Sequence, residues 1–205
     1  MQFLDFRDKI KNLPGFSLND IRKIDPLFHK RQLMDWLKRG YVRSFAGEYY
    51  LLADQQMDES LRFMLANRLY EPSYISLESA LAFYHIIPET VLSVTSISSR
   101  KSKQFESDWG LLYYRSIKPL LMFGYEVIET APNRKYSIAR LEKAVLDYLY
   151  LNAHISSIED FEGLRWDREA LLPVVNGDRF RNYQNIFSKK ALDKRVHQLV
   201  RYLNA

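Results

Sequence analysis

The stretch DPLFHKRQLMDWLKRGYVRSFAGEYYLL, residues 25–52, restricts the fold more than any other part of the chain, because it passes from helical to strand patterning with no linker. Asp25-Pro26 forces a turn, since a proline drives the residue before it out of the helical region. Beyond it, Leu33, Met34, Trp36 and Leu37 share one face of a helix at about 100° per residue, and Gly40 stops that helix after Arg39. YVRSF and EYYLL then read as strands rich in aromatic and β-branched residues, joined at Ala46-Gly47. Upstream, a helix over 4–12 ends at Pro14-Gly15, and Ser17 with Asp20 marks the capped start of the helix SLNDIRKI. Helix, helix, turn, helix and two-stranded wing predict a winged helix-turn-helix over residues 1–54.

On the third helix, Arg31, Asp35 and Lys38 point away from the apolar face, with Gln32 and Arg39 on one flank and Lys30 near the other border. Residues 26–43 hold five Lys or Arg against one acid, most of the formal net charge of +5. A solvated basic helix is the plain alternative, and the order of elements around it favours contact with DNA. Arg and Gln suit bidentate contacts with guanine and adenine edges, whereas Lys suits phosphate. The expected DNA-binding set is Lys30, Arg31, Gln32, Asp35, Lys38, Arg39 and Arg43. One winged helix makes few base contacts, so specificity calls for an inverted repeat in double-stranded promoter DNA and a homodimer, formed in solution or on the DNA.

Residues 55–70, QQMDESLRFMLANRLY, read as a connecting helix with Met57, Leu61, Met64, Leu65 and Leu69 on one stripe. From 71 to 205 the pattern changes to a mixed α/β unit with enough apolar segments for its own core, which makes the whole chain α+β. A helix starts at Ser76 and ends before Pro88. Short strands follow in TVLSVTSIS, LLYYRSI, MFGYEVIE and KYSIA, with Asp108-Trp109-Gly110 and Pro132-Asn133 as turns. Helices are expected over 139–152, around 157–175 and around 188–204.

Catalytic and cofactor patterns are absent. The chain has no Walker loop, G-x-G-x-x-G or H-E-x-x-H, and its four histidines stand singly, so no cofactor and no metal are expected. With no cysteine there is no disulfide scaffold or thiolate site, and a reducing cytoplasm is the natural compartment. MQFLDFRDKIKN mixes acids and bases and does not read as a signal peptide, and no apolar run approaches the roughly 20 residues of a membrane helix. An enzyme acting on nucleic acid would use Glu142, Lys143 and Asp147. Their spacing reads first as a solvated ion pair, because Lys143 and Asp147 lie four apart on a helix. Arg100-Lys101-Ser102-Lys103 reads as a polar hairpin loop, or alternatively as a second phosphate contact.

From YISLESALAFYHIIPE through SVTSISSRKSKQFES and FGYE to KYSIARLEKAVLDYLYL, the chain resembles the AbiEi family of bacterial antitoxins and regulators. The last segment corresponds to that family's Y-x-x-A-x-x-E-K-A-L-L-D-L-L-Y-L run. The resemblance extends from the winged helix to about residue 151, with the segments in order. It implies an N-terminal DNA-binding domain, repression of the chain's own operon, and a C-terminal antitoxin domain over 71–205. The functional partner it implies is a nucleotidyltransferase toxin of a type IV, phage-defence system, in which antitoxin and toxin need not form a stable complex. Family-like surface candidates for that activity are Arg100, Lys101, Lys103 and Lys143. The alternative is a stand-alone winged-helix regulator whose second half senses a ligand or dimerises.

Overall fold

Turn chemistry divides the first forty residues as their prolines dictate. In the computed structural model, which describes residues 1–11, 13–89, 91–131 and 134–205, α1 (Phe3–Ile10) leads into a short strand β1 (Phe16–Ser17). Next come α2 (Leu18–Ile24) and α3 (Lys30–Lys38). The Asp20 amide donates to Ser17 Oγ at 3.3 Å and the Ser17 amide donates to the Asp20 carboxylate at 2.9 Å, so both halves of the capping box form. β2 (Val42–Ala46) and β3 (Tyr49–Leu52) pair antiparallel around Gly47. β1 pairs with the other side of β3, which makes three strands in the order β1-β3-β2 where two were expected.

The helices close over this sheet through aromatic side chains. Phe6, Phe16, Phe28, Leu33 and Trp36 are buried in one small core. Phe6 stacks on Trp36 with ring centres 4.8 Å apart and meets Phe16 edge-on at 5.2 Å. Such pairs each contribute about 0.5–1.5 kcal/mol beyond their buried area.

The segment read as a connector is an interior helix. α4 (Glu59–Leu69) is capped by Asp58, whose Oδ1 accepts the Leu61 amide at 2.7 Å, so it starts later than the expected 55. Phe63, Met64, Leu65 and Ala66 are all buried, so no single stripe survives. One side packs on the larger sheet. The other meets the N-terminal elements so closely that a Cβ on Gly15 would stand 2.4 Å from the Leu65 side chain. Phe45, Ala46 and Leu51 of the hairpin belong to this larger core, which therefore crosses the expected boundary at residue 54.

Six strands make the larger sheet: β4 (Ser73–Ile75), β5 (Val94–Ser98), β6 (Lys103–Ser107), β7 (Gly110–Ser116), β8 (Tyr125–Ala131) and β9 (Arg134–Ala139). Their order is β6-β7-β5-β4-β9-β8, with β4/β9 and β5/β7 parallel and the other pairs antiparallel. Alternation along the strands assigns the two faces. Thr95 bonds α5 (Leu77–Phe83) by accepting the Ser79 amide at 3.0 Å. Tyr114, opposite the next residue Ser96, donates to the Ala66 carbonyl of α4 at 2.6 Å. α4 thus covers one face, and α5 with α6 (Leu141–Leu151) covers the other.

Four helices finish the chain: α7 (Ile158–Leu164), α8 (Arg168–Val175), α9 (Asp178–Phe187) and α10 (Lys190–Leu203). The single helix expected around 157–175 is two. Arg165 turns left-handed at φ +53°, and Asp167 caps a new start by accepting the Ala170 amide at 3.0 Å. Strands β4 and β6 and helix α9 lie outside the expected elements, and the expected turn at Pro132-Asn133 lies outside the described residues. No helix among the described residues is long and apolar enough to cross a membrane.

Candidate nucleic-acid interface

Leu33 and Trp36 hold α3 against the small aromatic core, which fixes the direction of its other side. Arg31, Asp35 and Lys38 are exposed, as is Arg39 just past the helix end. Among the described residues, no ion pair involves Arg31, Lys38 or Arg39. These three cations form the open part of the expected DNA surface.

The remaining members of the set are engaged elsewhere. Lys30 Nζ reaches across to the β2–β3 turn and pairs with Glu48 at 2.9 Å. The hydrogen bond to Glu48 raises the lysine pKa and lowers that of the glutamate, yet both groups are solvated and the pair adds little to stability. Gln32 is half-buried, and its side-chain amide donates to the Met1 carbonyl. That bond occupies one of the two amide donors and ties the side chain to the N-terminus. Arg43 is engaged as well. Its guanidinium donates to the Gln55 carbonyl at 2.6 Å and lies 5.1 Å from the centre of the Trp109 ring, in the seam between the two sheets.

The hairpin leans on the body of the protein. Phe45 stacks on Trp109 at 5.9 Å, and a Cβ on Gly47 would lie 3.5 Å from both Phe105 and Leu69. Its outward charge at the turn is Glu48, so the basic surface rests on α3 and not on the hairpin.

Arg100, Lys101 and Lys103 are exposed, as expected of a surface group. Their segment is not a hairpin loop, because β5 and β6 flank β7 on opposite sides and the connection crosses the end of β7. Arg100 covers the Tyr70 ring at 4.2 Å and donates to the Glu71 carbonyl at 3.1 Å, while Lys103 Nζ lies 4.5 Å from the Phe105 ring centre. Tyr70 Oη donates to the Lys101 carbonyl at 2.9 Å, which ties the loop down.

Lys143 is not on the surface at all. Both it and Asp147 are fully buried, and they pair with each other between α6 and the sheet. Lys143 Nζ also donates to Tyr74 Oη at 2.9 Å, and Asp147 accepts from Tyr74 Oη at 2.9 Å and Ser76 Oγ at 3.0 Å. Ser76 therefore spends its hydroxyl on this network instead of capping α5 with it. The rings of Phe123 and Phe187 stand 4.9 Å and 4.8 Å from the ammonium. Gly124 completes the wall, where a Cβ would lie 3.2 Å from the Lys143 stem and 2.9 Å from Tyr183. Burial pushes the Asp147 carboxyl up and the Lys143 ammonium down, and each partner opposes the shift of the other.

The solvated ion pair expected here is overturned by its neighbours: Ala144, Val145, Leu146 and Leu149 are buried around it. That apolar run is the signal from which the burial was readable. Glu142 points elsewhere and accepts from Arg179 at 3.2 Å, so Glu142, Lys143 and Asp147 do not converge on one acid–base site. Comparison with protein-family models finds no matching family, and comparison with curated proteins finds no match.

Proposed function

We propose that this chain is an AbiEi-type antitoxin that represses its own operon, reading double-stranded promoter DNA with a winged helix-turn-helix formed by residues 1–54. The observation that carries this reading is the outer face of α3, where Arg31, Lys38 and Arg39 stand exposed and, among the described residues, without acidic partners, on a helix fixed by Leu33 and Trp36. Cations so placed displace counterions from a phosphate backbone, and the fork of Arg31 suits a guanine edge. Two protomers on an inverted repeat would supply the contacts that one short helix lacks. The rest follows from the resemblance carried by YISLESALAFYHIIPE and ARLEKAVLDYLYL: in the cytoplasm the chain counteracts a nucleotidyltransferase toxin without needing a stable complex.

Gel-shift titration against the DNA upstream of its own gene tests the first half. A retarded band that weakens steeply with salt is expected, and an Arg31→Glu/Lys38→Glu variant that binds as well as the parent overturns the reading. Co-expression with a neighbouring nucleotidyltransferase, scored by growth, tests the second half. Growth arrest that abundant, folded protein does not relieve would remove the antitoxin role and leave a regulator.

A further inference from the structure

Helices cover the second face of the six-stranded sheet only in part. Beside α5 and α6, over β5 and β7, a cleft of about 530 Å³ stays open, within the size range of small-molecule sites. Leu81 of α5, with Leu164 and Trp166 from the α7–α8 connection, makes an apolar wall, and Tyr148 of α6 meets Trp166 edge-on at 5.2 Å. Leu77 at the same wall is fully buried yet sits at φ +56°, a conformation costly for a leucine and held only by the packing around it.

Besides Glu89, which is paired with Arg165 at 3.4 Å, two charged side chains line the cleft, Glu78 of α5 and Arg115 of β7. Each is half-buried, and neither has an ion-pair partner among the described residues. Strand register brings them near one another. The Ser79 amide, next to Glu78, is bonded to Thr95, and Thr95 pairs with Tyr113. Arg115 lies two residues beyond Tyr113 on the same face, roughly 7 Å along the strand. One guanidinium nitrogen donates to the Leu151 carbonyl at 3.2 Å, which anchors the group and leaves its other donors for a ligand. Burial, and then the Glu78 carboxylate, push the Tyr148 hydroxyl up to about 12, so Tyr148 remains a neutral hydroxyl beside that acid.

The charge pattern selects the occupant. A nucleotide or other polyanion would bring several negative charges to the single guanidinium of Arg115 and meet the Glu78 carboxylate beside it. A neutral hydrocarbon would desolvate Glu78 and Arg115 while giving neither a partner. We propose that the cleft binds a zwitterion with an apolar side chain, of the size of a large α-amino acid or a dipeptide. Its ammonium sits on Glu78, its carboxylate on Arg115 and its side chain against Leu81, Leu164 and Trp166. This site lies on the body of the protein and does not depend on the reading of α3.

Calorimetric titration of the full chain decides the matter, with L-phenylalanine, L-leucyl-L-phenylalanine, phenethylamine, 3-phenylpropionate and AMP as probes. At least one zwitterion should bind, with the two single-charge analogues about tenfold or more weaker, since each lacks one charge-assisted bond. AMP should not bind. Glu78→Gln should bring the zwitterion down to the affinity of 3-phenylpropionate, and Arg115→Met should bring it down to that of phenethylamine. If Arg115→Met fails to fold, the Glu78→Gln result with the analogue series still decides. No heat from either zwitterion at millimolar concentration, equal binding of a single-charge analogue, or tighter binding of AMP overturns the proposal. Promoter binding by the same preparation is read separately, so failure of one reading does not mask failure of the other.

Discussion

α3 and α6 carry the same short pattern, a cation followed four residues later by an aspartate, and the two pairs meet opposite fates. Arg31 and Asp35 face solvent and form no ion pair among the described residues, while Lys143 and Asp147 are sealed in the core and paired. Spacing alone does not separate them. In α3 the buried positions, Leu33 and Trp36, lie on one side of the helix and leave the other wet. In α6 the residues between the two charges are all buried, so the pair goes inside with them. A buried pair is held by its geometry and its extra hydrogen bonds, whereas an open cation is held by water alone.

The harshest way to break this comparison is to uncover the sheet on which α6 packs. A fragment spanning 71–205 loses α4, whose buried face closes the far side of the sheet, and it should show no cooperative thermal transition. A sharp transition with native-like ellipticity would establish that this part folds alone, as the composition of 71–205 first suggests. Next in size, Lys143→Met leaves Asp147 buried without its cation and should cost about 3–5 kcal/mol in urea denaturation, a large share of a typical domain's stability. Lys143→Met/Asp147→Leu should recover most of that loss. Arg31→Met, the matching change on α3, should stay within roughly 0.5 kcal/mol. Equal costs for Lys143→Met and Arg31→Met would erase the distinction.

Function should sort the other way. Arg31→Glu/Lys38→Glu is expected to lower promoter affinity about a hundredfold or more and to flatten its salt dependence, with the unfolding midpoint unchanged. Arg43→Ala should do the reverse. It loses the bond to Gln55 and the stacking on Trp109, about 1–2 kcal/mol of stability, but leaves the salt slope of promoter binding where it was. A changed slope would return Arg43 to the DNA surface.

The smallest effect is electrostatic and lies at the start of α7. Hydrogen bonds from the backbone amides of Ser156 and Ser157 hold the Asp160 carboxyl below its ordinary value of 3.8. A depressed carboxyl binds fewer protons in the folded state, so its stabilisation is complete above that value and fades as pH falls through the folded pKa. Asp160→Asn should therefore lower the melting temperature slightly at neutral pH and make its decline below pH about 4 shallower than in the parent. Parallel melting curves for the two proteins across that range would count against this account.

Much of the local architecture was legible, because local chemistry makes it. The Ser17–Asp20 box, the stop at Gly40 and the aromatic pair of strands each depend on residues within a few positions of one another. What escaped depends on distant parts of the chain. β1 and β4 are two and three residues long, too short to display alternation, and exist only because β3, β5 and β9 lie beside them. The bond from Gln32 to Met1 and the stacking of Arg43 on Trp109 join residues far apart in the chain, which no local pattern displays. The Lys143 network was the one hidden feature with a local trace, in the apolar run between its two charges.

The hairpin has a consequence for how such a chain can be rebuilt. Along β3, Leu51 belongs to the large core while Tyr50 and Leu52 belong to the small one, so the strand acts as a party wall between two rooms. Neither side of a party wall can be altered without consulting the neighbour. Exchanging residues 1–54 for the corresponding part of another protein would carry one room's lining intact and present a stranger's surface to the other. Hybrids of this chain should therefore succeed only when the rows facing α4, Phe105 and Trp109 travel with the recipient, whatever helix is chosen for the outer face.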